Sequence, residues 1–127
     1  MARIGFFGLA LNLAASGAAF AQAAASGDPV RGKLVFLQCQ ACHAVQAGEA
    51  GLVGPDLRGV YGRKAAAVAG YDYSAPLKAS GLVWNDANLD KWLTDPGTLV
   101  PGTKMAFVGI ASPALRADVI AYLKTVK

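Results

Sequence analysis

The stretch Cys39-Gln40-Ala41-Cys42-His43 holds both cysteines and the single histidine of this 127-residue chain. Three ordinary readings of such a thiol pair fit less well than a fourth. A zinc site needs a further Cys or His as its fourth ligand, and the chain has neither. A thioredoxin-like dithiol wants a preceding strand and a surrounding sheet, and no alternating strand pattern of useful length occurs. A Cys39–Cys42 disulfide suits an oxidising compartment but leaves the adjoining His43 unexplained. The spacing matches covalent c-type haem attachment: two thiols separated by two residues can each add to one porphyrin vinyl group, and the next imidazole then lies beneath the iron as proximal ligand.

Working outward, the flanking sequence reads as helices separated by irregular segments. Asp28 can cap a helix with Pro29 at its first position; Val30, Leu34 and Leu37 fall on one face with Val35 and Phe36 beside them, and this helix runs into the cysteine pair. From Gln46 to Gly81 there are seven glycines, so regular structure should be sparse there. A second helix is expected from Asn85 or Asp86 to Leu93, stopped by Asp95-Pro96-Gly97, and Pro101-Gly102 punctuates another loop. The last helix starts after Ser112 with Pro113 at its first position; Leu115, Val119, Tyr122, Leu123 and Val126 then recur at helical spacing. The expected class is all-α. A loop-rich chain of this size buries little apolar surface, so something besides side chains is expected to fill its middle.

The sixth iron ligand follows by elimination. With His43 below the iron, two-histidine ligation is impossible, and Met105 is the only methionine besides Met1. It sits in Val100-Pro101-Gly102-Thr103-Lys104-Met105, where Pro and Gly can hold an irregular loop against a cofactor face. An isolated Met is ordinarily core filler, but low-spin iron wants a strong sixth ligand. An open position, or Lys104 as ligand, are the competing readings.

The hydrophobic content of 54% is concentrated at the front of the chain. Arg3, an apolar stretch from Ile4 to about Leu13, and Ala19-Phe20-Ala21 as a small-x-small cleavage site form the tripartite pattern of a secretory leader. Residues 1–21 are expected to be removed on export to a bacterial periplasm, leaving 22–127 as one domain without stable membrane insertion. The competing reading keeps Ile4 to Ala21 as a membrane anchor, although Asn12, Ser16 and repeated Ala and Gly weaken it. The formal net charge of +4 falls by one with Arg3. Arg63-Lys64 is the only adjacent basic pair and no basic stripe interleaves with aromatics, which argues against nucleic-acid binding.

Residues 27–127 resemble class I c-type cytochromes, the mitochondrial and bacterial electron-carrier type. The matching pieces are Gly27-Asp28 with Gly32-Lys33 and Phe36, Cys39 to His43, Gly54-Pro55-Asp56-Leu57, Gly62-Arg63-Lys64, Gly70-Tyr71-Asp72-Tyr73, Trp84, Pro101 to Met105 with Gly109-Ile110, and Asp118 with Ile120-Ala121-Tyr122-Leu123. The resemblance implies short helices and long loops around one haem c held covalently through Cys39 and Cys42, with His43 and Met105 on the iron. It implies that the Pro55 carbonyl receives the His43 Nδ1 proton and so orients the ring. Arg63, Tyr73 and Trp84 would surround the haem propionates, which need charge or donors when out of water. Gly32 would let the first helix cross the last closely, against Tyr122.

Two departures stand out. Trp92 takes the place of a tyrosine near the ligating sulfur, and an indole donates but cannot accept. Gly97, Thr98, Ala111 and Ser112 stand where relatives carry lysines, leaving Lys104 and Lys33, so docking on a strongly acidic partner should be weaker. The implied function is outer-sphere transfer of one electron, with no catalysis of bond chemistry. The implied partners are transient redox proteins such as a cytochrome bc-type complex or dehydrogenase as donor and a terminal oxidase or reductase as acceptor, met by a monomeric carrier. A haem enzyme or sensor, peroxidase-like or gas-binding with a labile Met105, is the alternative.

Overall fold

The structure, a computed structural model, describes residues 26–49 and 53–127. The leader expected at 1–21 lies outside the described residues. Five helices follow in order: α1 Pro29–Phe36, α2 Ala75–Ala79, α3 Asp86–Thr94, α4 Pro96–Leu99 and α5 Pro113–Leu123, with a 3₁₀ turn at Cys39–Ala41. Among the described residues no strand forms beyond one isolated bridge between Lys64 and Val83. The all-α reading holds.

Local capping chemistry fixes most helix starts. Asp28 accepts from the Val30 and Arg31 N–H groups, Asn85 from Asn88, and Ser112 from Leu115, each satisfying an orphan donor of the first turn. Two helices depart from the sequence reading. α2 lies inside the glycine-rich stretch, started by Ser74 as cap with a proline in its first turn. Asp95-Pro96-Gly97 ends α3 and at once starts α4, because Asp95 accepts from the Thr98 N–H.

The packing of α1 is a correction of another kind. Val30, Leu34 and Leu37 form the outward face, 74%, 64% and 56% exposed, while Gly32 and Phe36 face the core. Gly32 decides this orientation: a Cβ at that position would overlap the Asp118 carbonyl and press on Tyr122, so only glycine lets α1 and α5 approach this closely. Phe36 then packs on Tyr122 with ring centroids 5.2 Å apart. Gly32→Val is expected to force the helices apart at a cost of about 3 kcal/mol, an overpacking penalty with rigid backbone opposite, read as a lower urea midpoint.

A buried carboxylate fastens the same crossing. Asp118 on α5 is 1% exposed and accepts from the Asp28 N–H at 2.7 Å and from Arg31 Nε and Nη2 at 2.7 and 2.9 Å. The bidentate Arg31 contact, then the Asp28 N–H, hold the Asp118 carboxyl below its ordinary pKa. A depressed folded-state pKa gives stability that is present above the ordinary carboxylate value and is lost as pH falls through the folded value. Urea midpoints measured between neutral and acid pH are therefore expected to fall on acidification. Asp118→Asn should start lower at neutral pH and show a flatter acid limb.

Candidate haem-binding cleft

After α1 the chain tightens so that the Cys42 and His43 N–H groups both donate to the Cys39 carbonyl, at 3.0 and 2.9 Å. That turn places Cys39, Cys42 and His43 along a cleft of about 330 Å³. No disulfide joins Cys39 and Cys42. Before haem is attached, burial, then the neighbouring Cys42, pushes the Cys39 thiol up to about 11, which leaves it protonated at neutral pH.

His43 Nδ1 lies 2.8 Å from the Pro55 carbonyl oxygen. A carbonyl can only accept, so Nδ1 carries the proton and the Nε2 lone pair is left for a metal. Burial lowers the His43 pKa against the opposing pull of the Pro55 carbonyl, which keeps the ring neutral at neutral pH. Gly54 makes room for this ring. Its N–H donates to the Cys42 carbonyl at 2.7 Å, and a Cβ there would sit 2.6 Å from His43 Cε1.

Met105 lines the same cleft from the irregular segment after α4. Its N–H donates to Thr103 Oγ1 at 3.3 Å, and the Thr103 N–H donates to the Val100 carbonyl at 3.0 Å. The far end of this segment is fastened harder. Ile110 N–H donates to the Leu93 carbonyl at 2.7 Å, and Gly109, at φ +96°, lies so close to the Thr94 carbonyl that no side chain fits. Arg116, buried on α5, donates to the Ile110 and Ala111 carbonyls and pairs with Asp90 at 2.7 Å.

The other residues singled out from sequence also line the cleft. Arg63 donates to the Arg58 and Asp56 carbonyls at 2.8 and 3.0 Å. Tyr73 is buried and its hydroxyl accepts from the Val68 N–H at 3.2 Å. Trp84 and Trp92 are buried against each other, centroids 5.1 Å apart and tilted by 57°. Among the described residues neither indole N–H has a hydrogen-bond partner. Lys104 turns its ammonium to Asp72, 2.5 Å from the carboxylate and 3.0 Å from the carbonyl. In the structure that pairing engages the ammonium which the sequence left as a rival ligand or as a docking charge.

Two contributors were not legible as site residues. Gly54 matters through the space it leaves, and Tyr71 through a hydroxyl that donates to the Val53 carbonyl at 2.9 Å while its ring meets Tyr73 at 4.7 Å.

The donor set fits a haem. Leu57, Val60, Leu77 and Leu89 give the cleft apolar walls for a macrocycle. One neutral imidazole and one thioether are nitrogen and soft sulfur donors suited to iron. Two thiols at the vinyl spacing complete it. Among the described residues, no group of three or more His, Cys, Asp or Glu side chains gathers as a metal site of another type.

Comparison with known proteins gives the same answer. The cytochrome c family model matches residues 29–127. Cytochrome c2 of Rhodomicrobium vannielii is 50% identical over 119 residues, covering 91% of this chain and 95% of the relative. Cytochrome c-554 of Methylosinus trichosporium is 47% identical over 117 residues, covering 89% of this chain and 88% of the relative. The solved structure of cytochrome cH from Methylobacterium extorquens superposes with a TM-score of 0.72 at 50% identity, covering 78% of this chain and 99% of that one. With the attachment motif set in an apolar cleft and likeness across nearly the whole length, the chain belongs to the cytochrome c family, electron carriers rather than enzymes, and holds one haem c covalently through Cys39 and Cys42.

Proposed function

We propose that the mature chain, residues 22–127, is a monomeric periplasmic carrier whose haem iron would be held by His43 and Met105. The observation that carries this reading is the presence of Met105, the only thioether after the leader, in the cleft that also receives His43. The bound haem iron supplies reversible one-electron exchange. The chain's own work is to hold that iron still and dry. Pro55 accepts the Nδ1 proton of His43, which fixes the ring and raises its basicity toward the metal. Arg63, Tyr73 and Trp84 supply donors for the propionates, and Trp92 stands near the thioether as a donor only. With His43 fixed by Pro55 and Met105 held by its loop, little nuclear rearrangement would accompany transfer.

The donor we propose is a quinol-oxidising bc-type complex or a dehydrogenase, and the acceptor a terminal oxidase or reductase. Contacts should be small and transient. Gly97, Thr98, Ala111 and Ser112 carry no charge, and Lys104 is paired with Asp72. Steering should therefore depend only weakly on salt. Rapid mixing of reduced haem-loaded protein with isolated membrane complexes tests this. A true partner is expected to exchange electrons at roughly 10⁵–10⁷ M⁻¹s⁻¹ with a shallow ionic-strength dependence. Exchange no faster with these complexes than with an unrelated haem protein would end the proposal. Mass spectrometry of the N-terminus of native protein decides whether the leader is removed after Ala21.

A further inference from the structure

Tyr71 and Asp72 are consecutive residues that reach to different segments at the exposed edge of the cleft. The Tyr71 hydroxyl donates to the carbonyl of Val53, beside the Gly54-Pro55 pair that seats His43. The Asp72 carboxylate and carbonyl both receive the ammonium of Lys104, next to Met105. The three partners Val53, Tyr71 and Lys104 all line the cleft. None of these contacts lies within a helix, since residues 70–73 precede α2 and residues 100–105 follow α4. The segment that carries Met105 is fastened at its far end by the hydrogen bonds of Ile110 and Arg116 and by the close approach of Gly109 to the Thr94 carbonyl, whereas its near end depends on Thr103 and on Lys104.

We propose that Tyr71 and Asp72 act together as a clasp, positioning residues that tie the Met105 segment to the His43 side of the cleft and slow its opening to small ligands. This rests on the reading of Met105 as sixth ligand. The clasp works through an exposed ion pair: the Asp72 side chain is 85% exposed and that of Lys104 53%. Its effect is therefore modest, a few-fold in the opening rate. The contact with the carboxylate makes it charge-dependent, while a second bond from Lys104 to the Asp72 carbonyl survives any change of the side chain and keeps the effect small.

The test uses the ferric haem-loaded protein and imidazole as competitor, following loss of the far-red sulfur-to-iron charge-transfer band at saturating imidazole. Asp72→Asn is expected to speed the loss about threefold, and Tyr71→Phe, which keeps the packing on Tyr73, should move the rate in the same direction. Lys104→Gln combined with Asp72→Asn should be little faster than Lys104→Gln alone, since Lys104 is the closer cation on Asp72 and Lys78, 3.9 Å away, lies outside the clasp. Asp72→Glu should restore the parent rate. Molar salt should speed the parent and leave Asp72→Asn nearly unmoved, with urea midpoints of all variants close together. A parent rate in Asp72→Asn, or additive effects in the double variant, overturns the clasp. A parent protein without the far-red band overturns the Met105 reading instead, and the clasp with it.

Discussion

Chain carrying Cys39→Ala and Cys42→Ala together is expected to emerge without covalent haem and largely unfolded. Each thioether bond needs one of the two thiols, and no other cysteine can replace them. The stability argument comes from the size of the cleft. Leaving about 330 Å³ as a cavity, at about 24 cal/mol per Å³, corresponds to roughly 8 kcal/mol. That is comparable with the whole stability of an ordinary domain, about 5–15 kcal/mol. The walls that would collapse or flood include Leu57, Val60, Leu77, Trp84, Leu89 and Trp92, a large share of the apolar core. Cofactor attachment and folding are thus linked, as binding to the native state alone always stabilises it. Either single substitution leaves one possible thioether and should give an intermediate yield with lowered thermal stability. Haem staining after denaturing electrophoresis reads the covalent bond, and far-ultraviolet circular dichroism reads the fold. A double variant that keeps its covalent colour, or melts like the parent, contradicts the account.

What was legible in the sequence was whatever is decided by near neighbours. The attachment motif is five residues long, so its chemistry is local. Asp28-Pro29, Asn85 and Ser112-Pro113 announce helix starts because a cap bonds to N–H groups two or three residues on. The face of α1 was not legible from apolar spacing; it was the resemblance that pointed to Gly32 as the crossing point against Tyr122, where the structure shows no room for a side chain opposite the Asp118 carbonyl. Nor was the Arg31–Asp118 link, which buries a carboxylate where hydrophobic periodicity expects a hydrocarbon. Asp95 shows how one residue can end a helix and cap the next, so that a stop signal conceals a start. In the site, Met105 could be reached by elimination because the sequence offers so few alternatives. Gly54 and the Tyr71–Val53 and Asp72–Lys104 bonds could not, because each joins segments whose proximity only the fold creates.

Substitution of Met105 by leucine is expected to abolish the far-red charge-transfer band of the ferric protein and to lower the midpoint potential by on the order of 0.2 V, within the wide span that axial ligands command. A soft thioether favours ferrous iron, and its removal takes that preference away. Leucine is the informative replacement because it conserves volume in a well-packed site, where Leu and Met exchange at under about 1.5 kcal/mol. Met105 is half-buried against the core, so Met105→Ala would mix the loss of a donor with a packing defect of about 2 kcal/mol. Leucine separates the two. The leucine variant should keep its covalent haem and a urea midpoint near the parent's, while imidazole binds without having to displace a ligand. Met105→His gives the complementary result: a second imidazole should keep the iron low-spin, yet the potential should still fall because nitrogen replaces sulfur. If the parent lacks the band and Met105→Leu keeps the parent's potential, the sulfur of Met105 is not on the iron. The sixth position would then stand open or be taken by Lys104, and for Lys104 the release of its ammonium from Asp72 would become the first step in forming the site.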